Sequence, residues 1–485
     1  MIVRFKGLFC CKFNIVSAFV VLKFYYNSIK LQRSYLISFC NFKIKQISSF
    51  TVQRRNISTI PGTCLIKFFM VKYLRKIRRQ NAVIVLISVM VYLGNVMSSS
   101  LDYASKQENL PDQEKKFAGS ASCASCHNEI YKSHIQTAHY LDSRPASKEF
   151  IKGSFAPGKN KFVYNKWTEV VLEQKNNKFF QVAFINGVEL QREPFDIVIG
   201  SGRNGQTYLY WQENDLFQLP VSYFTPMDSW CNSPGFPTTY VRFNRPVSAQ
   251  CLECHTTYAK EDKLPGNLNT FDKSQIIYGV DCERCHGPAA EHVAFHQKQP
   301  NEKKARYIIN TKNRDRQVRL DACALCHSGF RNATKPAFSF VAGDKLDDFS
   351  SVGYHSDSVS TLDVHGNQYG LLTSSKCFKM SVQLDCSSCH NVHKNEFNSP
   401  NIFSQRCMNC HNETTHNKCT LQPVNGLVLA ENCIDCHMPV LPSGNIRLNV
   451  TDADKLVPDI LRTHRIAIYP GKTKEYIDNL KLQKK

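Results

Sequence analysis

The chain has 485 residues, room for about three domains at roughly 150 residues each, and carries 61 Lys+Arg against 40 Asp+Glu, a formal net charge of +21. The excess is local: the first 100 residues hold 16 basic and no acidic side chains, leaving 45 basic against 40 acidic in the remainder, a balance of +5. A body so close to neutral gives no support for nucleic-acid binding, so no nucleic acid is expected as a partner.

Residues 1–69 are rich in Phe, Ile and Lys, with no period of 3.6 or 2, and read as a start assigned too early or an unstructured leader. A hydrophobic segment around Ile15 to Leu22 is the alternative. Residues 70–100 read as an export signal: Lys72, Arg75, Lys76, Arg78 and Arg79 precede the apolar run Ala82 to Met97. That run is near the lower limit for a membrane span, so a cleaved signal peptide and an N-terminal membrane anchor both fit it. The expected location is periplasmic or otherwise exported, with anchoring to the inner membrane by residues 82–97 if the segment is kept. Residues 101–122 form a polar linker.

The first informative motif, Cys123-Ala-Ser-Cys126-His127, lies in 123–150. In Cys-x-x-Cys-His two thiols can form thioether bonds to the vinyl groups of one haem, and the adjacent imidazole can bind its iron. The pattern recurs at Cys251/Cys254/His255, Cys282/Cys285/His286, Cys323/Cys326/His327, Cys386/Cys389/His390, Cys407/Cys410/His411 and Cys433/Cys436/His437. Seven covalently attached haem c groups are therefore expected. Structural zinc also uses Cys-x-x-Cys pairs but does not need histidine directly after each. With 16 His in 485 residues, a histidine at any one position has a chance of about one in thirty, and all seven pairs have one.

After the first motif, the stretch from Glu129 to His139 is helical in character and offers His134 and His139. Residues 151–245 read as a β-rich insertion. Apolar and aromatic runs from Trp167 to Gln174 and Phe179 to Ile185 are joined at Asn176-Asn177, and Asn186-Gly187 marks another hairpin. Gly200-Ser-Gly202-Arg-Asn-Gly205 matches a dinucleotide-binding pattern, but strand-like residues follow where that motif needs a helix, so a tight turn is expected.

Residues 246–335 hold sites two to four, with His292 and His296 four apart on one helical face. These read as axial ligands to two different haems. Residues 336–385 are loop and strand with His355 and His365, residues 386–470 hold sites five to seven, and 471–485 is a basic tail. His393 follows His390 by three residues, a reach of at most roughly 10 Å. That is too short to round the ring its own motif holds and bind the opposite face of the same iron, so His393 is expected to serve a neighbouring haem.

Seven distal positions compete for nine histidines outside the motifs. Sequence order favours His139, His292, His296, His365, His393 and His464, leaving His134, His355 and His416 to compete for the rest. At least six six-coordinate, low-spin haems are expected. Of the cysteines outside both the motifs and the leader, Cys231, Cys377 and Cys419 remain, an odd number whose pairing the sequence leaves open.

Cys123-Ala-Ser-Cys-His127 with Thr137-Ala-His139, Cys282-Glu-Arg-Cys-His-Gly-Pro-Ala-Ala-Glu-His292, His365-Gly-Asn-Gln368, Cys386-Ser-Ser-Cys-His-Asn-Val-His393 and Cys433-Ile-Asp-Cys-His-Met-Pro439 resemble exported multihaem cytochromes of the cytochrome c-552/4 type. The likeness spans roughly residues 120–470 and extends remotely to hydroxylamine oxidoreductase and the multihaem nitrite reductases. It implies closely packed, mostly bis-histidine haems, favours His139 over His134, and supports His292 and His393. The chain has no Cys-x-x-Cys-Lys site, which removes the usual catalytic haem of the multihaem nitrite reductases.

The expected fold is mainly short α-helices and loops wrapped around seven c-type haems, with a β-rich insertion between the first and second haem sites, because haem faces substitute for much of a side-chain core. The expected function is electron transfer with redox partner proteins or a quinol oxidation system. The alternative is a multihaem oxidoreductase acting on a small nitrogen or sulfur compound at one open haem.

Overall fold

The computed structural model describes residues 117–482, apart from 263–267, 353–361, 398, 413, 416–418 and 451–454. The expected export segment, most of the polar linker, His355 and His416 lie outside the described residues. Among the described residues no helix is long and apolar enough to cross a membrane.

Two one-turn to two-turn helices, α1 (Ser120–Ala124) and α2 (Asn128–His134), flank the first motif histidine. The chain then enters a β unit: β1 (Ser143–Pro145), β2 (Lys161–Asn165), β3 (Thr168–Lys175), β4 (Lys178–Ile185), β5 (Val188–Pro194), β6 (Ile197–Ile199), β7 (Gly205–Gln212), β8 (Asp215–Gln218), β9 (Val221–Phe224), β10 (Ser229–Asn232) and β11 (Arg245–Pro246). Strands β2 to β5 form an antiparallel meander in chain order. Its turns need positive φ at both central positions, supplied by Asn176 (52°) and Asn177 (58°), then by Asn186 (51°) and Gly187 (78°). In β3 the odd-even alternation sends Val170 and Leu172 inward and Glu169 and Glu173 toward solvent.

The second sheet runs β1-β6-β7-β8-β11, with β9 pairing both β7 and β10. Phe162, Val170 and Leu172 of the meander meet Tyr208, Val221 and Trp230 of this sheet in one apolar cluster. Trp230 is 2% exposed, and its indole N–H donates to the Ser154 carbonyl at 2.9 Å. Gly153 lies flat under that ring: a Cβ there would stand 2.1 Å from Trp230 Cζ2. Gly153→Ala is therefore expected to displace the indole and cost about 1–3 kcal/mol or more by overpacking, read as a lowered melting temperature with no change in the haem-bearing segments' spectrum.

Gly200 (φ 95°) and Gly202 (φ 81°) make a turn that leads directly into β7, and a Cβ on Gly200 would meet the Gly205 carbonyl at 2.7 Å. The glycines serve the turn; a helix N-terminus does not follow.

The expectation of mainly short helices wrapped around haems is overturned. The described residues are 28% helix and 28% strand, with several antiparallel sheets and a large β-rich region. Beyond the insertion, β12 (Thr256–Glu261) pairs with β13 (Phe271–Tyr278) directly after the second motif. Two further pairs follow, β14 (Arg331–Ala333) with β15 (Ser350–Val352) and β16 (Val440–Leu448) with β17 (Val457–Arg462). The physical reason is that a Cys-x-x-Cys-His motif needs only one helical turn. The chain on either side is free to pair, and Thr256-Thr257-Tyr258 with Ile276-Ile277-Tyr278 are β-branched and aromatic residues suited to a pleated surface.

Candidate functional site

The motifs share one local geometry. Four end or fill helices: α3 (Ala249–His255), α4 (Cys282–His286), the longer α6 (Arg316–His327) that follows α5 (Ala290–Lys298), and, after α7 (Gln368–Thr373), α8 (Lys376–Met380) and α9 (Pro400–Met408), the short α10 (Cys433–His437). In the other three the histidine N–H closes the same turn onto the first cysteine's carbonyl: His127 to Cys123 at 2.8 Å, His390 to Cys386 at 2.9 Å and His411 to Cys407 at 3.0 Å. Spacing of three and four along one turn places both thiols and the imidazole on one face.

Three motif imidazoles face a second imidazole at a common separation. Ring centres lie 6.1 Å apart for His286 and His393, for His327 and His139, and for His390 and His464. Two metal–nitrogen bonds of about 2 Å, plus roughly 1 Å from each nitrogen to its ring centre, require about 6 Å. The residues present thus fit one iron between each pair. The i,i+4 neighbours His292 and His296 stand 4.6 Å apart, too close for that arrangement.

The Nδ1 contacts orient several of these rings. His286 and His437 face the carbonyls of Ile309 (2.9 Å) and Ala467 (3.0 Å), and His327 faces Gln368 Oε1 (3.2 Å). His292 faces the Arg306 carbonyl at 2.7 Å. His255 faces Asp142 at 2.9 Å, and His365 faces the buried Asp459 at 2.8 Å. An imidazole whose Nδ1–H is engaged presents a fixed Nε2 lone pair, the arrangement that second-shell partners impose on metal-binding histidines. His296 Nε2 is buried with no hydrogen-bond partner.

His134 is placed differently from His139. It is buried, 5.7 Å from the Tyr140 ring centre and 6.3 Å from that of His393, and its Nε2 lies 3.4 Å from Asp281 Oδ1 without hydrogen-bonding geometry. With Cys282 these two residues could gather around a cation; Cys282, however, is the first thiol of the third motif.

Thiols from different motifs lie near enough to shift one another's ionisation: Cys123 and Cys282, Cys254 and Cys326, Cys323 and Cys386, and Cys407 and Cys433. No disulfide joins any two cysteines among the described residues. Cys231, outside the motifs, is 1% exposed in β10, and burial pushes its thiol up to about 12, the state of an inert core residue.

Three of the motif thiols, Cys126, Cys251 and Cys410, are exposed. Cys410, the second thiol of the sixth motif, also lies outside any helix. The reason is local, because α9 ends at Met408 and the chain turns there. The Cys410 N–H donates to the Cys407 carbonyl at 3.1 Å, and its own carbonyl accepts from Thr415 Oγ1 at 2.7 Å. Asn412 Oδ1 accepts from the Thr415 N–H at 3.1 Å, so the polar residues after His411 close the turn on itself and leave the Cys410 side uncovered. The sixth motif meets the seventh through Cys407 and Cys433.

Burial favours the neutral form at His139, His464, His327, His390 and His393. Burial, with a smaller contribution from the facing His327, lowers His139 to about 4; burial and the facing His390 lower His464 to about 4. Burial likewise lowers His327, His390 and His393. Neutral imidazole is the ligating form. At His255 burial also acts downward, but the charge and hydrogen bond of Asp142 outweigh it and raise the group.

A clamp holds the Cys386 to His393 segment against α9. Arg406 pairs with Glu396 through two contacts of 2.8 and 2.5 Å and also donates to the Cys389 carbonyl, while Glu396 accepts from the Asn391 N–H at 3.0 Å. The Arg406 guanidinium holds the Glu396 carboxyl down to about 2. Because the folded value is depressed, the stabilisation is present above the ordinary value of about 4.3 and is lost as pH falls toward 2. Glu396→Gln is expected to cost on the order of 1 kcal/mol at pH 7 and clearly less as pH falls to 2, as thermal melts at the two pH values would show.

Sequence reasoning missed Asp142 and Asp459, which belong to no motif, and assigned no role to Gln368 of the His365-Gly-Asn-Gln368 stretch; each reaches its histidine only through the fold.

Residues 240–287, which include the second and third motifs, match the family model for cytochrome c554 and c-prime. These findings support a multihaem c-type cytochrome. The expected covalently bound haem c and electron transfer are supported at that level. The crystal structure of the outer cell wall cytochrome OcwA is similar, at 15% identity over 74% of this chain and 81% of that one, with a TM-score of 0.46. No curated protein matches the chain.

Proposed function

We propose that the protein is an exported seven-haem electron-transfer cytochrome, each haem held by one Cys-x-x-Cys pair and its following histidine, with His139, His393 and His464 as distal ligands of the fourth, third and fifth sites. The observation that carries this reading is the set of close approaches between motifs. Thiols near enough to shift one another's ionisation join site one to three, two to four, four to five and six to seven. His393, three residues past the fifth motif's histidine, faces His286 of the third. Phe403 of α9, the helix that delivers Cys407 of the sixth, lies 5.3 Å from the His390 ring. The seven sites therefore form one connected network in which the fifth adjoins the third, fourth and sixth.

The haems supply one-electron chemistry; the protein's part is to fix their spacing and set their potentials by ligand, burial and hydrogen bonding. His365, held by Asp459, and His292 and His296 on α5 are proposed for other distal positions. Export rests on the basic and apolar segment at residues 70–100, and redox proteins or a quinol oxidation system are the proposed partners. Intact mass of the mature protein in denaturing solvent is expected to show seven haems and a chain beginning after residue 69; four haems, or zinc in place of iron, would refute the assignment. The oxidoreductase reading predicts a high-spin signal that nitrite or hydroxylamine abolishes, whereas the electron-transfer reading predicts indifference to both.

A further inference from the structure

The acceptors facing the motif histidines are not alike. For His286 and His437 the Nδ1 partner is a backbone carbonyl, and for His327 a side-chain amide oxygen. For His255 it is the carboxylate of Asp142, at 2.9 Å. The carboxylate is positioned from its own backbone: the Asp142 N–H donates to the His139 carbonyl at 3.2 Å, and the Asp142 carbonyl accepts from the Gly200 N–H at 2.6 Å. The His139 carbonyl also accepts from the Val280 N–H at 2.8 Å, so the four-residue segment is tied to the β6–β7 turn on one side and to the third motif's approach on the other.

We propose that Asp142 is a positioning residue that lowers the reduction potential of the haem held by Cys251 and Cys254, by accepting the Nδ1–H of His255. An anionic acceptor draws that proton toward itself and leaves the imidazole more electron-rich at Nε2, which stabilises the ferric over the ferrous iron. Neutral acceptors do this less. The same segment carries His139, whose ring faces His327, and Cys254 lies near Cys326. One short stretch thus sets the electronics of the second site and completes the ligation of its neighbour, the fourth. The inference rests on the haem assignment proposed above.

The test is a redox titration of the mature holoprotein and its Asp142→Asn variant, followed optically and by electron paramagnetic resonance, with haem content checked by mass. Asparagine keeps an oxygen acceptor and removes the charge. One titration step is expected to move upward by a factor of about ten in its equilibrium constant, 59 mV for one electron, with seven haems still attached and no new high-spin signal. Asp142→Glu, which keeps the anion, is expected to shift that step by less. Seven attached haems with no step moved would overturn the inference. So would a new high-spin signal, which would make Asp142 a prop for His139, or a Glu variant that shifts as far as Asn. Wild-type peptide from Cys251 to Cys254 without haem would instead refute the underlying assignment.

Discussion

Replacing His393 by alanine is expected to turn the haem of Cys282 and Cys285 high-spin while leaving the haem of Cys386 and Cys389 attached and low-spin. The variant lies three residues from His390 in sequence, so a purely local view predicts damage to the fifth site. The geometry points elsewhere. The His393 ring stands 6.1 Å from that of His286 and only 9° from parallel, whereas His390 faces His464 at 6.1 Å. Losing His393 opens one axial position and leaves the imidazole of His286 fixed by the Ile309 carbonyl. The effect is all-or-none at one iron: one high-spin haem per molecule by electron paramagnetic resonance, with seven haems by mass. Loss of the fifth haem, or a spectrum unchanged from wild type, would contradict the pairing.

That His393 serves a neighbour was readable from chain reach; which neighbour was not, because His286 comes to it only through the tertiary fold. Covalent haem attachment demands a fixed local spacing, so the seven motifs stand out in the sequence. Their exposure does not: Cys407 and Cys410 belong to one motif, yet one thiol meets Cys433 and the other lies in an exposed turn. The insertion's hairpins were legible because Asn176-Asn177 and Asn186-Gly187 are local solutions to positive φ. The pairs β12–β13 and β16–β17 were not. Their strands abut motif cysteines, their pairing has register shifts, and no Asn-Gly turn announces them. The histidines' partners were the least legible. Asp142 approaches His255 across the whole β unit, and nothing in its own neighbourhood marks it as different from any other aspartate.

His139 and His134 give the sharpest separation between ligand and bystander. Both lie just after the first motif, on or past α2, His134 buried and His139 half-buried. His139 faces the motif histidine His327 at 6.1 Å, with ring planes 70° apart. His134 instead turns toward Asp281, and its near rings are Tyr140 and His393, neither of them a motif histidine. His139→Ala is therefore expected to make the haem of Cys323 and Cys326 high-spin, and His134→Ala to leave every haem low-spin. The spectra should also identify which site has changed. Near-perpendicular imidazoles leave the two iron d orbitals that bond with them nearly equal in energy, while the near-parallel His286–His393 pair splits them. The signal lost in His139→Ala should accordingly be a strongly axial one, and the signal lost in His393→Ala a rhombic one. A high-spin haem in His134→Ala, or loss of the same signal in both ligand variants, would show that the rings are paired differently.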